Sequence, residues 1–555
     1  MAGKAYDLAR YSALDQINTG NVQNLKLAWS FSTGTVRGLE AAPVVVGSTM
    51  YVITPFPNYL YALDLNNHGA IKWKYEPKPD PASQGLACCD TVNRGVAYWN
   101  GKIYMNAFDM HTIAVDAETG KEVWKTQVGD FNTGESLTMA PIVVKGKVLI
   151  GNSGGEFGIR GWLTALDADT GKISWRAYAT GPDKDVLIGP SFKPFYPSER
   201  GKDLGVSTWP ADAWKIGGAG MWGWISYDPD LDLIYSGTAN PGPWNPDVRP
   251  GDNKWAATIF ARRPETGEAI WAYQISPHDT FDYDGVNECV LTDLTIKGVK
   301  RKVLLHPDRD GRMYVLDRAT GEVLSAEEFG YQNTSRGVDL KTGRIDMIEE
   351  KAPGFGKTIR DICPAAPGAK DWQPSAFSYR TGLLYIPHNN LCMEEEGVEA
   401  NYIAGTPYVG ANVRMYAGKG GHRGEYTAWD PVAGKTVWKI EEKFPVWSGT
   451  VTTKGDIAFY GTMDRWFKAL DIKSGKILWQ TRLGSGIIGQ PIVYKGPDGK
   501  EYVAILSGVG GWAGAIVPAG LDARDGTGAL GFVNAMGDLP QYTGAGGMLY
   551  VFALP

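Results

Sequence analysis

The chain carries only five cysteines in 555 residues. So few cannot build the dense disulfide framework of small secreted domains. No run of about 18 apolar residues occurs, which excludes an apolar helix spanning a bilayer. The opening residues, Met1-Ala-Gly-Lys-Ala-Tyr6, lack the apolar stretch of a secretory signal; if the protein is exported, this is the processed form with Met1 added. Basic charge is not in excess. A net charge of −6 and a pI near 5.7 give no reason to expect nucleic acid or an anionic membrane as partner. No Ser/Pro-rich or charge-block spacer divides the chain, and no Cys-x-x-Cys-His motif offers attachment to a c-type haem.

What is abundant is glycine (71), tyrosine (27) and tryptophan (20). That mixture suits many short strands, tight turns and flat side chains packed between sheets. Self-similarity follows. Ile113-Ala-Val-Asp116 leads through Thr119-Gly120 to Trp124, and Leu163-Thr-Ala-Leu-Asp167 through Thr170-Gly171 to Trp175. Related units begin at Tyr61, Ile259, Met313, Thr427 and Phe467. In each, an apolar strand ends at a residue that can bond turn amides, glycine reverses the chain, and most return strands carry tryptophan. One such hairpin cannot bury both faces, so the units must stack. Seven are contiguous. Gly547–Pro555 supplies the first half of an eighth and Asn24–Trp29 the second. The expected fold is therefore all-β: one domain, residues 1–555, forming an eight-bladed β-propeller closed by pairing of its N- and C-terminal strands.

Three stretches depart from the repeat and carry oxygen donors. In Asp279-Thr-Phe-Asp282-Tyr-Asp284-Gly285, alternate carboxylates point the same way on extended chain. Such close like charges call for a cation between them, or else the stretch is a solvated acidic loop. Asn152-Ser-Gly-Gly-Glu156 and Gly237-Thr-Ala-Asn240 add a carboxylate and an amide oxygen, though each also reads as a turn. The combined set, Glu156, Asn240, Asp282 and Asp284, holds no His or Cys, which argues against zinc or copper. Three carboxylates suit a trivalent ion better than a divalent one. Cys88 and Cys89 are adjacent. They are either two neighbouring thiols or a strained eight-membered disulfide ring, a flat plate for a planar ligand; a ring so small adds little loop-closure stabilisation.

Together with Leu86-Ala-Cys-Cys-Asp90, Gly237–Asn245, Pro277–Asn287 and Gly508-Val-Gly-Gly-Trp512, these motifs resemble the pyrroloquinoline quinone (PQQ) dependent alcohol dehydrogenases along the whole chain. The similarity is greatest to the lanthanide-dependent methanol dehydrogenases. The resemblance implies that Cys88–Cys89 is a disulfide on one face of the quinone and Trp222 the wall on the other. It implies that Glu40, Arg94, Thr138, Ser153, Gly154, Gly155, Arg309, Asn389 and Trp447 hold the cofactor. Glu156, Asn240, Asp282 and Asp284 become ligands of a lanthanide such as La, Ce or Nd, with calcium as the alternative. Asp284 is the extra carboxylate of the lanthanide branch, Asp282 the general base, and Arg309 the stabiliser of developing negative charge. Trp244, Trp447 and Trp512 narrow the pocket toward small primary alcohols. Cys363 and Cys392 form a second disulfide, and Cys289 is a lone thiol.

The same resemblance implies a soluble cytochrome c acceptor, a periplasmic location and a homodimer. Two positions depart from the family pattern: Gly220 stands where threonine is common, and Gly155 where alanine is. A calcium-using alcohol dehydrogenase and a non-catalytic propeller scaffold are the competing readings; the scaffold would lack Cys88-Cys89 and the carboxylate set.

Overall fold

The computed structural model describes residues 1–555. It contains eight antiparallel sheets built on four strands each. The first comprises Val44–Val46, Thr49–Ile53, Leu60–Asp64 and Ala70–Tyr75. Six more follow along the chain, beginning at Ala97, Ile142, Ile225, Val290, Ala376 and Val451. The eighth draws on both ends: Lys26–Ser32 pairs antiparallel with Met548–Ala553, which continues through Glu501–Ser507 to Ile492–Lys495. A short strand, Tyr11–Ser12, adds in parallel to the sheet that begins at Val451.

The repeated residues account for the hairpins. Asp116 Oδ1 accepts hydrogen bonds from the Thr119 amide and hydroxyl at 2.8 and 2.7 Å. Gly120 then turns the chain at φ +72°, and a Cβ there would stand 2.6 Å from the Trp73 ring of the preceding hairpin. Both the left-handed backbone and the indole pressed on it require glycine. Most of the repeat indoles also donate their N–H forward along the chain: Trp73 to the Ala117 carbonyl at 3.2 Å, Trp124 to Ala168 at 3.0 Å and Trp271 to Arg318 at 3.2 Å.

Apolar clusters lie between consecutive sheets. Val52 and Leu60 of the first pack with Ile113 and Val115 of the second and with Leu549 and Val551 of the eighth. Ile457 and Phe459 of the seventh pack with Val503 and Phe552 of the eighth. Every sheet thus buries both faces against neighbours, the arrangement that single hairpins lack.

The sixth sheet is interrupted. Between Leu383–Asn389 and Gly424–Asp430 the chain leaves to form Leu391–Gly397 and Ala411–Ala417, which join Thr358–Ile362 in a separate three-stranded sheet. Cys363 and Cys392 tie this insert together in a disulfide. No helix is long and apolar enough to cross a membrane.

Candidate active site

One cleft collects residues from just ahead of the first strand of seven sheets. Glu40 precedes Val44, Arg94 precedes Ala97 and Thr138 precedes Ile142. Trp222, Asp284, Trp372 and Trp447 stand likewise before Ile225, Val290, Ala376 and Val451. Because the sheets repeat, equivalent loops fall at the same end of the molecule.

Four of these side chains make a polar rail. Arg94 Nε lies 3.0 Å from Glu40 Oε2, and Arg94 Nη1 donates to Thr138 Oγ1 at 2.8 Å. Thr138 Oγ1 lies 2.8 Å from Ser153 Oγ. Burial pushes the Glu40 carboxyl up to about 8, more strongly than Arg94 pulls it down. Gly154 follows in the left-handed region (φ +121°), and a Cβ there would meet the Gly134 carbonyl at 2.2 Å, so no other residue fits. At Gly155 a Cβ would find only ordinary contact, 3.5 Å to Asn240 Oδ1. The alanine common there in the family would fit as well.

Opposite charges meet at Arg309. Its Nη1 lies 2.9 Å from Asp282 Oδ2, and its Nη2 stands 3.0 Å from both Asp284 Oδ2 and Asp371 Oδ1. Glu156 and Asn240 line the same cleft, and the Asn240 backbone N–H donates to Asp284 Oδ1 at 2.5 Å. Three carboxylates, Asp282, Asp284 and Asp371, therefore share one guanidinium, while Glu156 lines the cleft beside them. Burial, reinforced by mutual repulsion, pushes Asp282 well above the carboxylate range and Asp284 to about 7. Asp282 Oδ1 is buried with no hydrogen-bond partner. A cation held by these oxygens would offset both shifts and satisfy the orphan oxygen.

The chain matches the family model "PQQ: Glucose/ethanol/alcohol dehydrogenase, beta-propeller domain" over residues 1–328 and 423–503. It is 55% identical to the lanthanide-dependent methanol dehydrogenase of Methylacidiphilum fumariolicum (strain SolV), across 100% of this chain and 92% of that protein. It is 46% identical to methanol dehydrogenase [cytochrome c] subunit 1 of Methylorubrum extorquens (strain ATCC 14718 / DSM 1338 / JCM 2805 / NCIMB 9133 / AM1), across 100% and 90%. A solved europium-containing methanol dehydrogenase, 55% identical, superposes with a TM-score of 0.99 over 100% of this chain and 97% of that one. The chain belongs to the PQQ-dependent alcohol dehydrogenase family.

Within that family frame, the donor set fits both implied groups. All-oxygen ligands with a surplus of negative charge suit a hard, highly charged cation. The Glu40–Arg94–Thr138–Ser153 rail and the Trp222 ring, with Arg94 4.7 Å from its centroid, offer polar edges and a flat face to a planar anionic quinone. Trp447 and Trp512 enclose Phe532, at centroid distances of 5.2 and 5.5 Å. With Trp244 they line the cleft and narrow it.

Two expectations are corrected. Cys88 and Cys89 line the cleft, but their sulfurs are 2.9 Å apart and both are free thiols. A bond requires about 2.05 Å; at 2.9 Å the two sulfurs stand short of one, though closer than non-bonded sulfurs normally approach. Asn389 does not line the cleft. Its Oδ1 accepts from Trp447 Nε1 at 3.0 Å and its Nδ2 donates to the Gly368 carbonyl at 2.9 Å, so its amide fixes the tryptophan from behind.

Asp371 and Trp372 were not anticipated, although both line the cleft. They lie outside the hairpin units, and no motif in the sequence marked them. Gly220 has a physical reason: a Cβ there would stand 2.8 Å from the Asn152 carbonyl, so this backbone leaves no room for threonine. Cys289 is buried and unpaired, as expected, with burial holding its thiol protonated.

Proposed function

We infer that the protein oxidises small primary alcohols, methanol and ethanol among them, to aldehydes, using PQQ and a lanthanide ion. The observation that carries this reading is the convergence of Glu156, Asn240, Asp282 and Asp284 on one cleft beside Arg309. Glu156, Asn240, Asp282 and Asp284 hold the ion; Glu40, Arg94, Thr138, Ser153, Gly154, Gly155 and Arg309 hold the quinone, with Trp222 and the Cys88/Cys89 pair as its walls and Asn389 acting through Trp447. Bound there, the quinone would supply a hydride acceptor and the ion a Lewis acid that strengthens it.

The chain's own groups do the rest. Asp282 is the general base and receives the alcohol's hydroxyl proton on a carboxylate oxygen. Arg309 fixes that carboxylate through Oδ2, 2.9 Å from its Nη1. With Nη2 it offers a fixed positive charge where negative charge develops. The tryptophans exclude water and bulky alcohols.

The eight sheets form one closed propeller domain spanning residues 1–555, supported by the cores between consecutive sheets and by the pairing of both chain ends. Electrons pass to a soluble cytochrome c, the enzyme works in the periplasm, and two copies pair as a homodimer; family membership supports these readings. Metal analysis and an absorption spectrum of the purified enzyme, with methanol turnover in lanthanum or calcium, test the assignment. One lanthanide and one quinone per chain are expected. Equal turnover in calcium would move the enzyme to the calcium-using branch, and absence of any quinone band would overturn the reading.

A further inference from the structure

A second cavity, of about 530 Å³, shares no lining residue with the candidate active site. It lies further along the same first strands. Val44, Val451 and Ile492 line it, whereas Glu40 and Trp447, a few residues upstream, line the active site. Gln490 stands between the two: it lines the second cavity and donates through Nε2 to the Glu40 carbonyl at 2.9 Å.

Arg10 also lines this cavity and is only 6% exposed. Its Nη1 reaches the Leu8 carbonyl at 3.4 Å, while Nε and Nη2 have no partner. The carboxylates that attract it are engaged elsewhere. Asp7 accepts from the Ala9 amide and the Tyr379 hydroxyl, and Glu288 from Lys370 Nζ at 2.6 Å and the Ser375 amide. The guanidinium rests on the face of Trp224, 4.5 Å from its centroid. Burial pulls its pKa down to about 10, against the weaker upward pull of Glu288 and Asp7. Lys4 and Lys495 also line the cavity, and no Asp or Glu does.

A buried, unpaired charge is costly unless something neutralises it. Two free donors on one planar fork match the paired oxygens of a carboxylate or a phosphate. We propose that this second cavity is an oxyanion site, in which Arg10 grips a small carboxylate or a phosphate group through Nε and Nη2. The site is separate from alcohol oxidation, because Glu40 and Gln490 lie between it and the reacting groups.

Calorimetric titration of the full-length holoenzyme with inorganic phosphate, and separately with acetate, tests this. Saturable binding of at least one is expected, and the tighter of the two identifies the preferred oxyanion. Arg10→Gln should weaken it by about tenfold or more, the scale of a lost charge-assisted hydrogen bond. Arg10→Lys should weaken it less, since it keeps the charge and loses the fork. No saturable binding of either anion, or equal affinity in wild type and Arg10→Gln, overturns the proposal. If Arg10→Gln fails to fold, undiminished phosphate and acetate affinity in Arg10→Lys overturns fork recognition in its place.

Discussion

Arg309 holds Asp282 and Asp284 with different nitrogens: Nη1 stands 2.9 Å from Asp282 Oδ2 and Nη2 stands 3.0 Å from Asp284 Oδ2. One rigid fork therefore sets the spacing of two carboxylates that would otherwise repel each other. Lysine keeps the charge but offers a single point donor, which cannot hold both. Arg309→Lys is expected to fold and to lose about 100-fold in kcat, the scale of a misplaced catalytic group. Steady-state kinetics beside a urea melt separates that from unfolding; unchanged kcat would show that the fork does not position the base.

Asp284 and Asp282 divide their work, and metal titration tells them apart. Asp284→Ala should cut lanthanum activation by about 100-fold or more, because one of three carboxylates balancing a trivalent ion is gone, while calcium activation persists or rises. Asp282→Asn should lower turnover by about 10³-fold, within the usual range for general-base loss, while the quinone absorbance remains. Lanthanum activation that survives Asp284→Ala would remove that residue from the ligand set.

Local chemistry decided what was legible in the sequence. The hairpins could be read because Asp116, Gly120 and Trp124 each have a stereochemical duty inside one unit, and the next unit repeats it. The oxygen donors could be read because Asp282 and Asp284 sit two apart in sequence, although Asp282 takes a left-handed backbone (φ +67°) rather than the extended one expected. Asp371 could not, since its role comes from Arg309, 62 residues away. The free thiols of Cys88 and Cys89 and the rear position of Asn389 were likewise hidden. Bond formation between neighbours depends on redox state and ring strain, and whether an amide faces a cleft or the wall behind it depends on packing alone.

Glu40 makes the stability of the metal- and quinone-free protein depend on pH. Its carboxyl is raised from the usual value to about 8 in the fold, so the folded state holds that proton more tightly than the unfolded chain. The associated stability is complete below about pH 4.5, the unfolded value, and is lost as pH rises through 8. Urea melts of the apoprotein should therefore show falling stability from pH 5 to 8. Glu40→Gln, which cannot ionise, should flatten that slope. An equal slope in the variant would assign it to other groups.

The Cys363–Cys392 disulfide carries the last prediction, because it anchors a segment that serves the cleft. It encloses 29 residues of sequence separation, for which chain entropy predicts about 3.5 kcal/mol of stabilisation. The enclosed chain includes Ala366, whose carbonyl accepts from Arg309 Nη1 at 3.0 Å, and Asp371, which accepts from Arg309 Nη2. Cys363→Ser with Cys392→Ser should thus do two things. It should lower the unfolding free energy obtained from urea melts by the amount just given, and it should reduce kcat more than it raises KM, because Arg309 loses two of the acceptors that aim it. A variant with lowered stability but unchanged kcat would confine the disulfide to the insert and break its connection to the catalytic arginine.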